Sequence, residues 1–406
     1  MGDFFQNGRV TTLHNMHHRQ QASLESELKS FSKASPMGLI LPSLYSELER
    51  PALSQIVDEL EMAKYLDQIV IGIDQADKEQ FKHALAFFSR LPQQHSLLWN
   101  DGPRLMAIDK KLREHGLAPT ERGKGRNVWY CMGYMIALKN TEAIAIHDCD
   151  IKTYHRNMLS RLLYPVANPK FNYVFCKGFY PRVADGSMNG RVSRLLVSPL
   201  VRALNHQHGP HPYLDFLDSF RYPLAGEFSM KHDVLKDLRI PTDWGLEVGI
   251  LMEMKKNYST SHICQVDIAE NYDHKHQIVS PEDQARGLSK MSIDIAKAIF
   301  KKLATDGITI TEESLRTTKA TYYRIALDLI ESYRHDALFN DLNYETHEEE
   351  MMVELFAKNI KYAGKTFLED TDKAPFIPSW RRVASAIPDI FEQLLEAVET
   401  DRKELS

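Results

Sequence analysis

Cysteine is scarce in this chain: four among 406 residues, at Cys131, Cys149, Cys176 and Cys264. They form no CxxC pair and no close cluster, which excludes the usual structural-zinc spacings and fits a reducing compartment. Long apolar runs are also missing, and none approaches the roughly 18 residues of a membrane span. The opening MGDFFQNGRVTT lacks the basic-then-apolar order of a secretory signal. Gln6 stands where myristoylation would need Ser or Thr. Charge of one sign does not dominate: 50 Lys and Arg against 55 Asp and Glu leave a net charge of −5. That excludes a globally basic nucleic-acid binder and leaves room for local anion sites. The apolar fraction of 43% and charged fraction of 26% exclude a disordered or fibrous chain. The expectation is a cytoplasmic enzyme without membrane or nucleic-acid partners.

What is present is an alternation of short apolar runs and helical periodicity. Residues 1–35 are polar and weakly periodic, and read as a mobile or lightly docked arm. Gly38–Leu41 reads as a buried strand closed by Pro42, followed by a helix with Pro51 in its first turn. Strands are predicted again at Gln68–Ile73, Ser96–Trp99, Ala143–His147 and Asn172–Cys176, with helices between them. Such alternation predicts an α/β domain on a parallel sheet. From about 178 to 280 the chain is rich in Gly, Pro, His and aromatic residues, as expected where loops assemble a cleft. Beyond 283 it reads as helical, and the run Glu348-Glu349-Glu350 as a solvated helix start. The predicted organisation is an arm over 1–35, a catalytic domain over 36–282 and a helical extension over 283–406.

The strongest chemical signal is IAIHDCD, which places Asp148 and Asp150 just beyond a strand end, where open α/β sheets bind ligands. Two carboxylates at that spacing suit Mg²⁺ or Mn²⁺, hard ions that prefer oxygen; a pair of capping acids is the bland alternative. Arg122-Gly123-Lys124-Gly125-Arg126, opening a helix, offers free N–H groups and cations to a phosphate, although GxxxxGK[ST] is absent. DGSMNGRVSR offers Gly190, Arg191, Ser193 and Arg194 as a second anion loop. In NYDHKH, His274 and His276 are candidate nitrogen ligands; HExxH is absent. Glu227 and Glu247 are acids in apolar surroundings, either buried acceptors or groups that orient sugar hydroxyls. No GxSxG elbow anchors a hydrolase triad.

In this order LILPSLYSELE, GKGRNVWY, HDCD, NGRVSRLL, YPLAGEFSM, WGLEVGIL and QVDIAENYDHKHQ resemble the glucosyl-3-phosphoglycerate synthases, over roughly residues 37–280. These are retaining glycosyltransferases with a GT-A nucleotide-sugar fold; mannosyl-3-phosphoglycerate and mannosylglycerate synthases are close relatives. The resemblance implies that Pro42, Ser43, Leu44 and Glu49 border the nucleotide, Asp74 accommodates the nucleoside, and Lys124, Asp148 and Cys149 adjoin the donor. It implies that Asp150 holds the metal with His274, with His276 as competitor. It implies that Gly190, Arg191, Val192 and Ser193 hold the acceptor phosphate, Ser193 standing where the family often has Thr. Asn271 and Lys275 would assist the acceptor, and Glu247 would lie near the sugar.

The implied reaction moves glucose from a nucleoside diphosphate glucose, GDP-glucose preferred over UDP-glucose, to the 2-hydroxyl of D-3-phosphoglycerate. Asp150, Glu247 and Arg191 would carry it, with Mg²⁺ or Mn²⁺, in a homodimer. Mannosyl transfer, a sugar-nucleotide nucleotidyltransferase and a nucleotide-regulated scaffold are the alternatives.

Overall fold

The computed structural model describes residues 6, 8–17, 19–119, 121–274, 287–369 and 376–405. Ten strands occur among them: β1 Thr11–Leu13, β2 Met37–Leu44, β3 Leu66–Asp74, β4 Gln94–Trp99, β5 Ala143–Ile146, β6 Phe175–Phe179, β7 Val183–Ala184, β8 Ser187–Met188, β9 Phe228–Lys231 and β10 Ile263–Asp267. Eight form one sheet in the order β1-β10-β6-β9-β5-β2-β3-β4, and β7 and β8 form a small hairpin. All pairings in the large sheet are parallel except those of β9, which runs antiparallel to both β5 and β6.

The strands are apolar on both faces because helices cover both. Ile40, Val70 and Ile144 enter one core, and Leu39, Leu41, Ile69, Ile71, Ala143 and Ala145 the other. That is the period-2 alternation of a doubly covered sheet. Helix Pro51–Glu61 starts with Pro at a position where its missing N–H costs nothing. Helix Lys78–Phe88 is opened by a reciprocal Asp77–Gln80 cap, with both bonds 2.8 Å long.

Two expectations need correction. The sheet is mixed, because FSMK, read only as part of a motif, forms β9; four residues are too few to show a period. Of the mobile or lightly docked arm, the described part is docked and not mobile: β1 pairs with β10 as an edge strand, and helix Gln21–Phe31 buries Leu24 and Leu28. Polar composition concealed both, since a three-residue edge strand needs backbone partners more than apolar side chains. The predicted boundary at 282 lies outside the described residues.

The C-terminal helices wrap back onto the α/β core. Trp380 is fully buried, stacks on Trp129 with ring centroids 4.0 Å apart, and donates from Nε1 to the Trp129 carbonyl at 2.9 Å. Trp129 returns a 2.9 Å bond to the Pro378 carbonyl. Helix Lys124–Leu138, which begins with Lys124, is therefore held from behind by the tail. Trp380→Ala should lower unfolding stability by about 3–5 kcal/mol, read by denaturant titration; a loss below about 1 kcal/mol would show the tail to be a dispensable appendage.

Candidate active site

Strand order reverses between β2 and β5. From β2 the chain moves outward through β3 and β4, then returns to place β5 on the other side of β2. The crevice beyond their carboxyl ends is the natural ligand position of such a sheet. Ser43 and Leu44 close β2 there, Asp74 closes β3, and the His147-Asp148-Cys149-Asp150 turn leaves β5.

At its centre the Lys124 ammonium lies 2.6 Å from Asp148 Oδ1 and 3.1 Å from Glu247 Oε1. Lys124 is the first residue of helix Lys124–Leu138, and Glu247 sits in the first turn of helix Leu246–Asn257. One cation thus ties together two helix starts and a strand end. Burial pushes the Asp148 carboxyl up, but Lys124 prevails and holds it below the usual range. Asp148 also rests against Gly226, where a Cβ would overlap its carboxylate. His147 beneath is fully buried, and burial lowers it to about 3, so it is neutral at pH 7.

Asp150 faces His274, with Oδ2 3.6 Å from Nδ1. The approach is built by the backbone: Ile151 and His274 form an antiparallel bridge, Lys152 N donates to the Asp273 carbonyl at 2.9 Å, and Lys152 pairs with the Asp273 carboxylate at 2.8 Å. Among the described residues no cluster of three or more His, Cys, Asp or Glu side chains is placed to ligate a metal. A carboxylate oxygen and an imidazole nitrogen on one side of a cleft nevertheless suit a divalent ion that draws its other ligands from a diphosphate and water. The donor set fits.

Lys124, Asp148, Glu247 and His274 border a cavity of about 360 Å³ that Gly190, Arg191 and Val192 also line. Gly190 has φ +75°, a left-handed conformation that frees the turn into Arg191. Arg191 Nε donates to Glu349 at 2.6 Å and Nη2 to Glu348 at 2.9 Å. Three of its five N–H groups have no part in those two bonds. Arg194 lies 2.9 Å from the other Glu349 oxygen, donates to the Asn189 carbonyl at 2.8 Å and covers the Tyr333 ring. The acidic run does start a helix, with Glu348 and Glu350 exposed, but Glu349 departs from a solvated start: it is buried and anchors the arginine loop. Roughly 155 residues of separation left no trace of that pairing in the sequence.

A layer of aromatic and charged groups lies below. Glu227, fully buried, accepts hydrogen bonds from Tyr180 and Tyr272 at 2.6 and 2.7 Å. It is a structural acceptor that sets two cavity-lining rings. Lys177 is buried under the site, donates to the Ala225 carbonyl at 2.5 Å, and is lowered by burial to about 8.

No family model matches the chain. Among curated relatives, a glucosyl-3-phosphoglycerate synthase of Persephonella marina is 42% identical over 404 residues, spanning 100% of both chains. One from Methanococcoides burtonii is 39% identical over 407 residues, covering 99% of this chain and 98% of its own. The chain belongs to the glucosyl-3-phosphoglycerate synthase family. Solved structures of the Mycobacterium tuberculosis synthase share its fold. The complex with Mn²⁺, UDP-glucose and phosphoglyceric acid matches with TM-score 0.53 at 20% identity, over 73% of this chain and 88% of that one. The complex with phosphoglyceric acid gives 0.52 at 19%, over 72% and 88%. The core is GT-A-like, with a C-terminal helical extension.

Within the synthase family frame, the structure brings Lys124, Asp148, Glu247, His274, Gly190, Arg191 and Val192 onto one cavity, with Asp150 beside His274. Ser193 is buried at the start of the next helical turn. Asn271 is exposed and outside the cavity lining; Lys275 and His276 lie outside the described residues. Glu49 is exposed, whereas Glu47, two residues earlier, is the buried acid at the end of β2. Sequence reasoning passed over Glu47, and only its place next to the apolar Leu48 hinted at burial. Arg126 is no phosphate cradle: it is buried, 3.5 Å from Asp109, while Arg122 pairs with Asp101 at 3.1 Å. Pro42 is half-buried, Ser43 and Cys149 are buried, and Leu44 is exposed at the crevice rim.

Asp74 is raised to about 6, chiefly by burial, against which the neighbouring Asn100 amide pulls it down. An unfolded Asp titrates near 3.9, so from about pH 4 to 6 the folded protein holds a proton that the unfolded chain has lost. This group's contribution to stability is therefore complete below pH 4 and lost as pH rises through 6. Asp74→Asn should flatten that slope, gaining about 2 kcal/mol on the parent between pH 4 and 7.5, read by urea unfolding at each pH. Parallel curves would refute the assignment.

Proposed function

We propose that this synthase transfers glucose, with retention, from a nucleoside diphosphate glucose to the 2-hydroxyl of D-3-phosphoglycerate, giving glucosyl-3-phosphoglycerate. One observation carries the reading: Lys124, Asp148, Glu247 and His274 line the same cavity as the Gly190–Arg191–Val192 loop, and Asp150 stands beside His274. That is a donor half and an acceptor half of one cavity. The Mycobacterium tuberculosis relative was solved with Mn²⁺, UDP-glucose and phosphoglyceric acid together, and another of its complexes contains Mg²⁺ and UDP.

Asp150 and His274 would hold Mg²⁺ or Mn²⁺, which supplies charge neutralisation of the leaving diphosphate. The chain does the positioning. Arg191 offers its remaining N–H groups to the acceptor phosphate, with the Ser193 hydroxyl nearby, and so fixes where the 2-hydroxyl lies. Glu247, with one oxygen on Lys124, has a second oxygen to accept from a sugar hydroxyl. It serves as an orienting group, because no carboxylate stands out as a covalent nucleophile. In a front-face reaction the departing phosphate takes the acceptor's proton, and the protein need supply no general base. Asp74 is our candidate for base recognition: a carboxylate accepts two N–H bonds from guanine N1 and N2 but one from uracil. GDP-glucose is therefore the preferred donor, with UDP-glucose second. No helix among the described residues is long and apolar enough to cross a membrane, and we place the enzyme in the cytoplasm as a homodimer, which solution mass measurement tests.

A donor-by-acceptor matrix read by product mass and anomeric configuration tests the reaction. It should give one α-configured phosphoglycosyl product from GDP- or UDP-glucose with 3-phosphoglycerate; pyrophosphate release from a nucleoside triphosphate would overturn the reading. Glu247→Gln should cut kcat by about 10²-fold with an unchanged Tm. Unchanged turnover would remove Glu247 from the site. Chelation should abolish transfer, and Asp150→Asn or His274→Ala should raise the half-saturating Mn²⁺ concentration by more than about 10-fold. An unaltered Mn²⁺ requirement in both variants would exclude the pair as its site.

A further inference from the structure

Arg182 was not among the residues the sequence singled out, yet it borders the same cavity. Its place is set on every side. A Cβ on Gly190 would lie 3.3 Å from the Arg182 Cβ, so its stem starts against the acceptor loop. Its guanidinium covers the Tyr272 ring, 5.5 Å from the centroid, and Nη1 donates to the Tyr222 hydroxyl at 3.1 Å. Tyr272 in turn meets the His274 ring edge-on at 5.8 Å. Arg182 therefore spans the distance between the phosphate loop and the metal-side histidine.

Its electrostatics differ from those of the other cavity cations. Lys124 is matched by Asp148 and Glu247, and Arg191 by Glu348 and Glu349. Among the described residues no carboxylate lies within ion-pair distance of Arg182; its surroundings are tyrosines. Nε is buried without a hydrogen-bond partner among those residues. A half-buried guanidinium with an unused edge favours an anionic ligand of matching planar geometry.

The acceptor supplies one. In 3-phosphoglycerate the carboxylate and the reacting hydroxyl are on the same carbon, while the phosphate is one carbon away. With the phosphate at Arg191 and the hydroxyl directed to the donor, the carboxylate falls between the acceptor loop and the metal side. Arg182 occupies that interval. We propose that Arg182 binds the carboxylate of the acceptor and is the residue that distinguishes a phosphoglycerate from a phosphorylated alcohol. The proposal rests on the acceptor assigned above and adds the group that reads its acid end.

Glycerol 3-phosphate, which carries CH₂OH in place of the carboxylate, separates this role from others. Dissociation constants for 3-phosphoglycerate and glycerol 3-phosphate are measured by calorimetry with Mn²⁺ and GDP, on the parent, Arg182→Gln and Arg182→Lys. Arg182→Gln should weaken 3-phosphoglycerate by about 10- to 100-fold and glycerol 3-phosphate by less than about 3-fold. Arg182→Lys, which keeps the charge and loses the fork, should show an intermediate loss confined to 3-phosphoglycerate; it also serves if the glutamine variant does not fold. Equal weakening of both ligands, or of neither, overturns the proposal while the acceptor assignment stands. A parent protein that binds neither ligand and glucosylates no 3-phosphoglycerate overturns the assignment and the proposal with it.

Discussion

One ammonium group organises this molecule's chemistry. Lys124 lies between Asp148 and Glu247, within 3.1 Å of both, and each carboxylate comes from a different part of the fold. Asp148 follows a central strand, and Glu247 lies in the first turn of a helix 99 residues later. Like charges converging on a buried point repel strongly unless a cation lies between them. Lys124 makes the convergence affordable, and in doing so it separates the two acids of the D-x-D pair. Asp148 is neutralised inward. Asp150 faces His274 instead. The pair looks symmetric as a sequence and is asymmetric in the fold: one carboxylate is bridged to Lys124 and the other faces His274.

The rest of the architecture serves to hold that lysine and what faces it. Trp129 and Trp380 stack behind the helix that Lys124 begins, so the C-terminal tail stiffens the Lys124 side of the cavity. Glu348 and Glu349, on an earlier helix of the same tail, grip Arg191 and Arg194, so the tail also sets the arginine loop. Beneath the cavity Glu227 fixes Tyr180 and Tyr272. Both halves of the site are thereby referred to the same scaffold, which is what bringing two anionic substrates together requires.

Much of this was legible in the sequence, and for identifiable reasons. Strands such as QIVIGI announce themselves by apolar runs, and IAIHDCD joins such a run to acids at the position where ligands bind. Lys124, Asp150, His274 and Arg191 lie in short motifs whose local form reports their surroundings. The failures share a different cause. The Arg191–Glu349 pairing, the absence among the described residues of any acid beside Arg182, and the inward turn of Arg126 toward Asp109 are facts about distant partners. An exposed arginine and a buried, paired one have the same letter. The strands β1 and β9 were missed because their three and four residues are fixed by backbone pairing with neighbours, which leaves no period to read.

The central claim is the division of labour between Asp148 and Asp150, and diffraction tests it most directly. Crystals grown with Mn²⁺ and a nucleoside diphosphate, measured at the manganese absorption edge, would locate the ion. The account predicts a single anomalous peak shared by the Asp150 carboxylate and the His274 imidazole, with Asp148 still bridged to Lys124. A peak on Asp148, with Lys124 displaced from it, would contradict the account.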